Sequence, residues 1–265
     1  MRPSDFPEKQ SPLFTATQLE KTKGAHIMTM EIDKKRNLQV PRAEFVTRLL
    51  RLPRGISRLE HLGQKKKVEK DYMLVEAGTV PKYCYIIKRG RVACYEYSIS
   101  GEERIYNFNE DNSLLLESYL LFDTMVPVNF KTVLPTELIC IDKETLLHAI
   151  STDAEICMDI MQSLHMKFNT SMEQIRHTNF HNASWKICDL LLMFADRYGV
   201  PYDGKVLIKE KISQQLLSNL LGINRVTAVR AIKELKDMSL IEQVNGYYCI
   251  RDLEKLKRHQ NHLVR

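Results

Sequence analysis

Residues 68–141 of this 265-residue chain contain no histidine, and no two of its cysteines form a CxxC pair. Each absence removes a class of chemistry. A metal-dependent oxygenase on a β-barrel needs histidines and a carboxylate converging on one sheet, and the histidine-free stretch offers none. The six cysteines (Cys84, Cys94, Cys140, Cys157, Cys188 and Cys249) are scattered without ligand spacing. That is the pattern of reduced, mostly buried thiols in a cytoplasmic protein, and it suggests neither a structural zinc nor an iron–sulfur cluster. No apolar run nears the roughly 18 residues of a membrane span, and the N-terminus lacks the apolar core of a signal peptide. A soluble chain that stays inside the cell, with no membrane partner, is expected.

What is present is enough apolar residue, 44%, for an effector-sized domain and a smaller one. Net charge is +6, and residues 181–265 hold 14 Lys and Arg against 9 Asp and Glu, so a polyanion belongs at the C-terminal end. Residues 1–45 mix Pro, Ser, Thr, Lys and Glu without a period and read as a flexible arm, with Met28 or Met30 as alternative starts. From Val68 onward, short apolar runs alternate with turn residues. The runs cover 72–76, 83–88, 92–97 and 104–108, cut by Gly78, Gly90, Gly101 and Glu110-Asp111-Asn112, and resume at 131–134 and 138–141. Such spacing predicts an antiparallel sandwich or barrel, here over 46–152.

Beyond Asp142 the period becomes helical, with a short helix over 143–150 and a long one over 153–181. Along the long helix, Cys157, Met161, Leu164, Phe168, Ser171 and Ile175 recur at alternating spacings of four and three. This is the rhythm of a coiled-coil seam, so Met161, Leu164, Phe168, Ser171 and Ile175 are expected at a homodimer interface. The competing reading packs that face on the chain's own domain.

Asn182 caps a helix over 183–198 that Gly199 and Pro201 end, which opens a second domain over 182–265. Residues 205–209 read as a strand. Ser213 then caps a helix to Leu221, Gly222-Ile223-Asn224 makes a turn, and a second helix spans 225–238. Two short helices around a glycine turn place the second in a DNA major groove. Ser218 supplies the small side chain where the helices cross, and Leu217, Leu221, Ile223, Ala228, Ile232 and Leu235 supply their shared core. Arg225, Val226, Thr227 and Arg230 remain on the polar side, with Ser213, Gln214 and Asn224 at the helix starts. These seven residues are the candidate contacts to double-stranded DNA, the arginine fork matching both phosphate and the guanine edge. Asn245-Gly246 then suits a type I′ hairpin between 240–244 and 247–251, which makes the module winged.

The stretch ISQQLLSNLLGINRVTAVRAIKELKDMSLI over 212–241, the Gly78, Gly90 and Gly101 turns and the long helix into Asn182 resemble, in order and spacing, the family of the cyclic AMP receptor protein and the fumarate-nitrate reduction regulator. The likeness covers about residues 57–255, and GINRVTAVR is similar to the chlorophenol-responsive regulators of dehalogenation, which share the valine at Val226. The resemblance implies an α+β fold: an N-terminal antiparallel, jelly-roll-like β-roll that senses an effector, a long dimerisation helix and a C-terminal winged helix-turn-helix. It implies a transcription regulator rather than an enzyme, a dimer on a two-fold symmetric DNA site, RNA polymerase as a further partner, and DNA contacts for Arg225 and Arg230.

It also implies an effector pocket. Glu117 matches the glutamate that cyclic-nucleotide binders use for the ribose, yet the following stretch, TMVPVNF over 124–130, lacks their phosphate-binding arginine. An unpaired buried phosphate costs on the order of several kcal/mol. A small molecule other than cyclic AMP is therefore expected, seated among Glu117, Ser118, Asn129 and Lys131 and, from the long helix, Ser171 and Met172. The family's iron–sulfur branch needs N-terminal cysteines, and residues 1–83 have none. Haem through His61 or His165, or a metal between His177 and His181, would rest on too few ligands, so no cofactor and no metal are expected. The alternatives are an effector-independent DNA-binding regulator whose roll serves protein interaction or oligomerisation, and an RNA-binding regulator. The few aromatic residues on the second helix argue against the latter.

Overall fold

Two sheets build the N-terminal half of the computed structural model, which describes residues 46–47 and 54–263; the arm expected over 1–45 and the alternative starts lie outside the described residues. The first sheet joins β1 (Val46–Thr47), β3 (Met73–Val75), β5 (Val92–Tyr97), β6 (Glu103–Asn109) and β8 (Asn129–Thr132) in the order β1-β6-β5-β8-β3. The second joins β2 (Gln64–Val68), β4 (Cys84–Arg89), β7 (Leu114–Leu115) and β9 (Thr136–Ile141) in the order β2-β9-β4-β7. The pairing is antiparallel as expected, with one correction: β1 runs parallel to β6, Val46 opposite Phe108 and Thr47 opposite Asn109. Parallel partners need a long connection, and this one spans more than fifty residues of chain, beyond the reach of any local turn signal.

The unbroken apolar runs of β4 and β5 have a physical cause, since both faces of each strand are covered. On β4, Tyr85 and Ile87 join the roll interior with Val92, Leu115, Phe130 and Leu138, while Cys84 and Ile86 face outward into a helical layer. That layer contains α1 (Arg54–Leu59), α3 (Lys143–Thr152) and the start of α4 (Ala154–Phe180). On β5, Val92 and Cys94 point into the roll, whereas Ala93 and Tyr95 join the core of the C-terminal domain. A short α2 (Glu117–Leu121), which the sequence reading did not anticipate, packs Leu120 into the helical layer beside α3 and β4.

Helix α4 has 27 residues, about 40 Å at 1.5 Å per residue. Asp153 caps it by accepting from the Glu155 and Ile156 amides, and Arg58 of α1 ties that end down through Asp153. Ile156, Ile160 and Ser163 bury against the roll. On another face of the helix, Met161, Phe168, Met172 and Ile175 are exposed by 48–62%.

The C-terminal domain comprises α5 (Ala183–Tyr198), β10 (Gly199–Tyr202), β11 (Lys205–Ile208), α6 (Gln214–Leu221), α7 (Arg225–Asp237), β12 (Ile241–Val244), β13 (Tyr247–Ile250) and α8 (Leu253–His262), with sheet order β10-β11-β13-β12. Helix α8 is a second element missing from the sequence reading; Asp252 caps it, and Leu256 and Gln260 bury its inner face.

At the junction of α4 and α5, polar groups are buried together. His177 Nδ1 lies 3.5 Å from an Asp189 carboxylate oxygen, and the Gln260 amide donates to the other oxygen at 2.9 Å. Trp185, 2% exposed, takes the His177 ring edge-on at 4.7 Å and stacks on His181 at 3.6 Å. Burial, with His177 and Arg176 beside it, pushes the His181 imidazole below its ordinary pKa of 6.5. The folded state therefore prefers neutral His181. The stability this contributes is complete above about pH 6.5 and is lost as pH falls through the lower folded-state value. Trp185 is the single tryptophan of the chain, so its fluorescence reports the contact. Acid titration should quench it with a midpoint below 6.5, and His181→Gln should remove that transition. A midpoint at or above 6.5 would contradict the assignment.

Candidate functional site

Three capping interactions build the outward face of the C-terminal domain. The Ser213 hydroxyl accepts from the Leu216 amide at 3.0 Å and starts α6; the Asn224 side chain accepts from the Val226 amide at 2.8 Å and starts α7. Between them Gly222 ends α6 at φ +58°, in the left-handed region. Ser218, 5% exposed, and Ala228, fully buried, fit the close approach of the two helices. The core positions of α7 are Ala228, Ala231, Ile232 and Leu235. The remaining face presents Arg225, Thr227, Val226 at 75% exposure and Arg230, whose side chain is 82% exposed and lies 3.4 Å from Glu234. Gln214 is half-buried at the start of α6. Of the seven expected DNA contacts, Ser213 and Asn224 thus spend a side-chain acceptor on capping, and four project from the first turns of α7. Val229 and Lys233 share the exposed side, and the sequence reading missed both. Their signal was the spacing of three and seven from Val226. The wing is as expected: Asn245 and Gly246 both have positive φ, 51° and 83°, in the turn joining β12 to β13.

The expected effector residues do not converge as one group. Glu117, 1% exposed, forms an ion pair with Lys167 of α4 at 2.5 Å. Lys167, absent from the expected set, therefore takes the place given to Ser171 and Met172. Those two are exposed, and the Ser171 hydroxyl donates to the Lys167 carbonyl of its own helix. Asn129 accepts from the Ala77 amide at 3.0 Å, holding a turn, and Ser118 is half-buried on α2. Lys131 points elsewhere again. Its ammonium lies 3.3 Å from Glu103 and 4.2 Å from the Tyr95 ring centroid. The reason is strand alternation: Phe130 occupies the interior position of β8, so Lys131 faces the opposite side. Close to the Glu117 pair, burial raises the Cys94 thiol to about 12, so it stays protonated.

That opposite side carries a direct contact between the roll and α6. Glu103 accepts from the Asn219 side chain at 2.8 Å, and Arg104 donates to the backbone carbonyls of Asn219, at 3.0 Å, and Leu220. Gly222 is favoured by its positive φ, and a Cβ there would sit 3.0 Å from the Arg104 guanidinium carbon, tighter than ordinary contact, so that side chain would have to shift by a few tenths of an ångström. A second bridge runs from Arg91 to Glu110 at 2.6 Å and to Glu210 at 2.8 Å, with the Tyr198 hydroxyl donating to Glu110 at 2.6 Å.

A β-roll joined by a long helix to a winged helix-turn-helix couples a second domain to a DNA-binding module. Residues 65–153 match the family model of the cyclic nucleotide-binding domain, and residues 186–259 match that of the Crp-like helix-turn-helix domain. The regulatory protein HlyX of Actinobacillus pleuropneumoniae is 23% identical over 203 residues, 76% of this chain and 84% of that protein. The CRP-like cAMP-activated global transcriptional regulator of Mycobacterium tuberculosis is 20% identical over 174 residues, 66% of this chain and 78% of that protein. Among solved structures, OCPA-complexed CprK has the same fold, with a TM-score of 0.64 at 16% identity, covering 82% of this chain and 99% of that one. The chain belongs to the family of the cyclic AMP receptor protein and the fumarate-nitrate reduction regulator, and it is a transcription regulator, not an enzyme. Among the described residues no helix is long and apolar enough to cross a membrane, and no cluster of three or more metal-ligating side chains occurs.

The Glu117–Lys167 pair ties α2 of the roll to the long helix, and its energetic weight is measurable. Lys167→Met leaves a carboxylate buried without its partner and should destabilise the fold by about 3 kcal/mol. Glu117→Gln combined with Lys167→Met should cost less than the sum of the single changes, with a coupling of roughly 1–3 kcal/mol in a denaturant double-mutant cycle. Additive costs would show that the pair does not hold the two elements together.

Proposed function

We propose that the protein acts in the cytoplasm as a homodimer that binds a two-fold symmetric DNA site, under control of a small molecule other than cyclic AMP. In this reading residues 46–152 sense the effector, 153–181 pair the subunits, 182–265 bind DNA, and RNA polymerase is the further partner. The exposed first turns of α7, with Arg225, Val226 and Arg230 free of the domain core, carry the DNA assignment. Two recognition helices related by a two-fold axis reach half-sites about one helical turn apart. The exposed apolar stripe of Met161, Phe168, Met172 and Ile175 supports pairing through α4, since a long apolar helix face is unfavourable in water. Against cyclic AMP stand the absence of arginine from 124–130 and the engagement of Glu117 by Lys167.

The same ion pair favours a second reading, in which Lys167 fills the effector position permanently and the roll transmits a protein contact. A thermal-shift screen separates the two, because a ligand of the native state raises its melting temperature and a ligand-free roll gives no shift.

Arg225, at the helix start, suits a phosphate, and Arg230 suits a guanine through its paired donors. Val226 lacks an acceptor for cytosine but packs against a thymine methyl, so A·T is preferred at its position, and Val226→Glu should shift preference toward G·C by roughly 1–3 kcal/mol. Arg225→Ala should weaken binding to every sequence and flatten its salt dependence. Selection from a random DNA pool with both Val226 forms checks this; identical preferences would place Val226 away from the bases. Because Leu164 partly packs on the roll core, the dimer is better tested at exposed positions. Phe168→Glu with Ile175→Glu should yield monomers by light scattering, and an unchanged dimer mass would sink the α4 assignment.

A further inference from the structure

Strands β2 and β3 are edge strands of the two different sheets of the roll, and a cleft of about 770 Å³ opens between them. Its floor is apolar and closed. Tyr85 and Cys140, opposite each other across β4 and β9, are each 8% exposed and belong to the roll interior. The walls are aromatic, with Tyr72 and Tyr83 each more than a third exposed and the Tyr83 ring 6.4 Å from that of Tyr85.

The charge around the opening is net positive. The ammonium groups of Lys66 and Lys82 stand against the single carboxylate of Glu76. The Lys66 ammonium donates to the Tyr72 hydroxyl at 2.7 Å and lies 4.6 Å from that ring's centroid. This hydrogen bond raises the Lys66 pKa, so the ammonium stays charged at the cleft wall. Lys65 alternates to the outer face of β2, where its charge acts on Glu137, so the cleft's cations are Lys66 and, from the loop before β4, Lys82.

Lysines on an edge strand ordinarily block strand-to-strand association. That role accounts for β2 but needs neither a cleft, nor ring walls, nor a lysine on a separate loop. Like charges gathered around a concavity raise the local concentration of counter-ions, and exposed rings offer a face for stacking. A volume of this size accommodates a small organic molecule.

We propose that this cleft is a ligand site for a small aromatic anion, a ring bearing a carboxylate or a phosphate, with the ring between Tyr72 and Tyr83 and the charge at Lys66 and Lys82. The site is distinct from the Glu117–Lys167 region, whose residues do not line it. It stands independently of the effector reading, because its occupancy is measured directly rather than through DNA binding.

Isothermal titration of the intact chain with phenyl phosphate, benzoate and inorganic phosphate tests it. Phenyl phosphate or benzoate should bind at least about tenfold more tightly than inorganic phosphate, the scale of one stacked ring. Lys66→Gln with Lys82→Gln should weaken the aromatic anion about tenfold or more, and Tyr83→Leu should weaken it while leaving inorganic phosphate unchanged. All three positions are exposed, and circular dichroism verifies that the variants fold. Equal affinity for inorganic phosphate and both aromatic anions, aromatic binding insensitive to the lysine pair, or no aromatic binding at all would overturn the proposal.

Discussion

The guanidinium of Arg104 meets the carbonyl end of α6, and the relation between the two domains depends on that contact. The last carbonyls of a helix have no partner within it and carry the negative end of its dipole. Here Arg104, from β6 of the roll, supplies the donors and the charge, and Gly222 leaves room for it. Burial lowers the Arg104 pKa while Tyr106 and Glu96 pull it the other way. The helix-turn-helix is thereby fixed on the same strand that supplies Ile105 and Phe108 to the shared core. Glu103 extends the contact by holding Asn219 of α6 and Lys131 of β8 at once. A shift in β8 or β6 is therefore felt at the first helix of the DNA-binding unit.

This arrangement gives effector control a physical route. The roll grips α4 through Glu117 and Lys167 and grips α6 through Arg104 and Glu103. A ligand that binds more tightly to one setting of these grips than to another shifts the population between them, by no more than its differential affinity. Buried ion pairs suit such a role because they are strongly directional and cost much when half-broken.

How much of this the sequence disclosed depended on range. The helix-turn-helix was legible because its determinants are local: Ser213, Gly222 and Asn224 cap and turn within a dozen residues, and the apolar positions of α7 repeat with the helical period. The long helix ended where Asn182 said it would, and β5 fell on 92–97. Lys167 and Arg104 were invisible because their partners lie 50 and more than 100 positions away, and no periodicity links a lysine on one helix to a glutamate at the start of a distant short one. Lys131 was misdirected for a related reason. It follows the segment expected to form the pocket, but the alternation of β8 gives the interior to Phe130 and turns Lys131 toward Glu103. Helix α2, at five residues, is too short to show a period.

The described residues belong to one compact unit, and with α6 held on β6 the roll and the DNA-binding domain should unfold together. Scanning calorimetry tests it most directly. One cooperative transition is expected for the unaltered protein, with equal calorimetric and van't Hoff enthalpies, and separation into two transitions in Arg104→Met. Two resolved transitions in the unaltered protein would contradict it, as would an Arg104→Met variant that melts as a single unit at the original temperature.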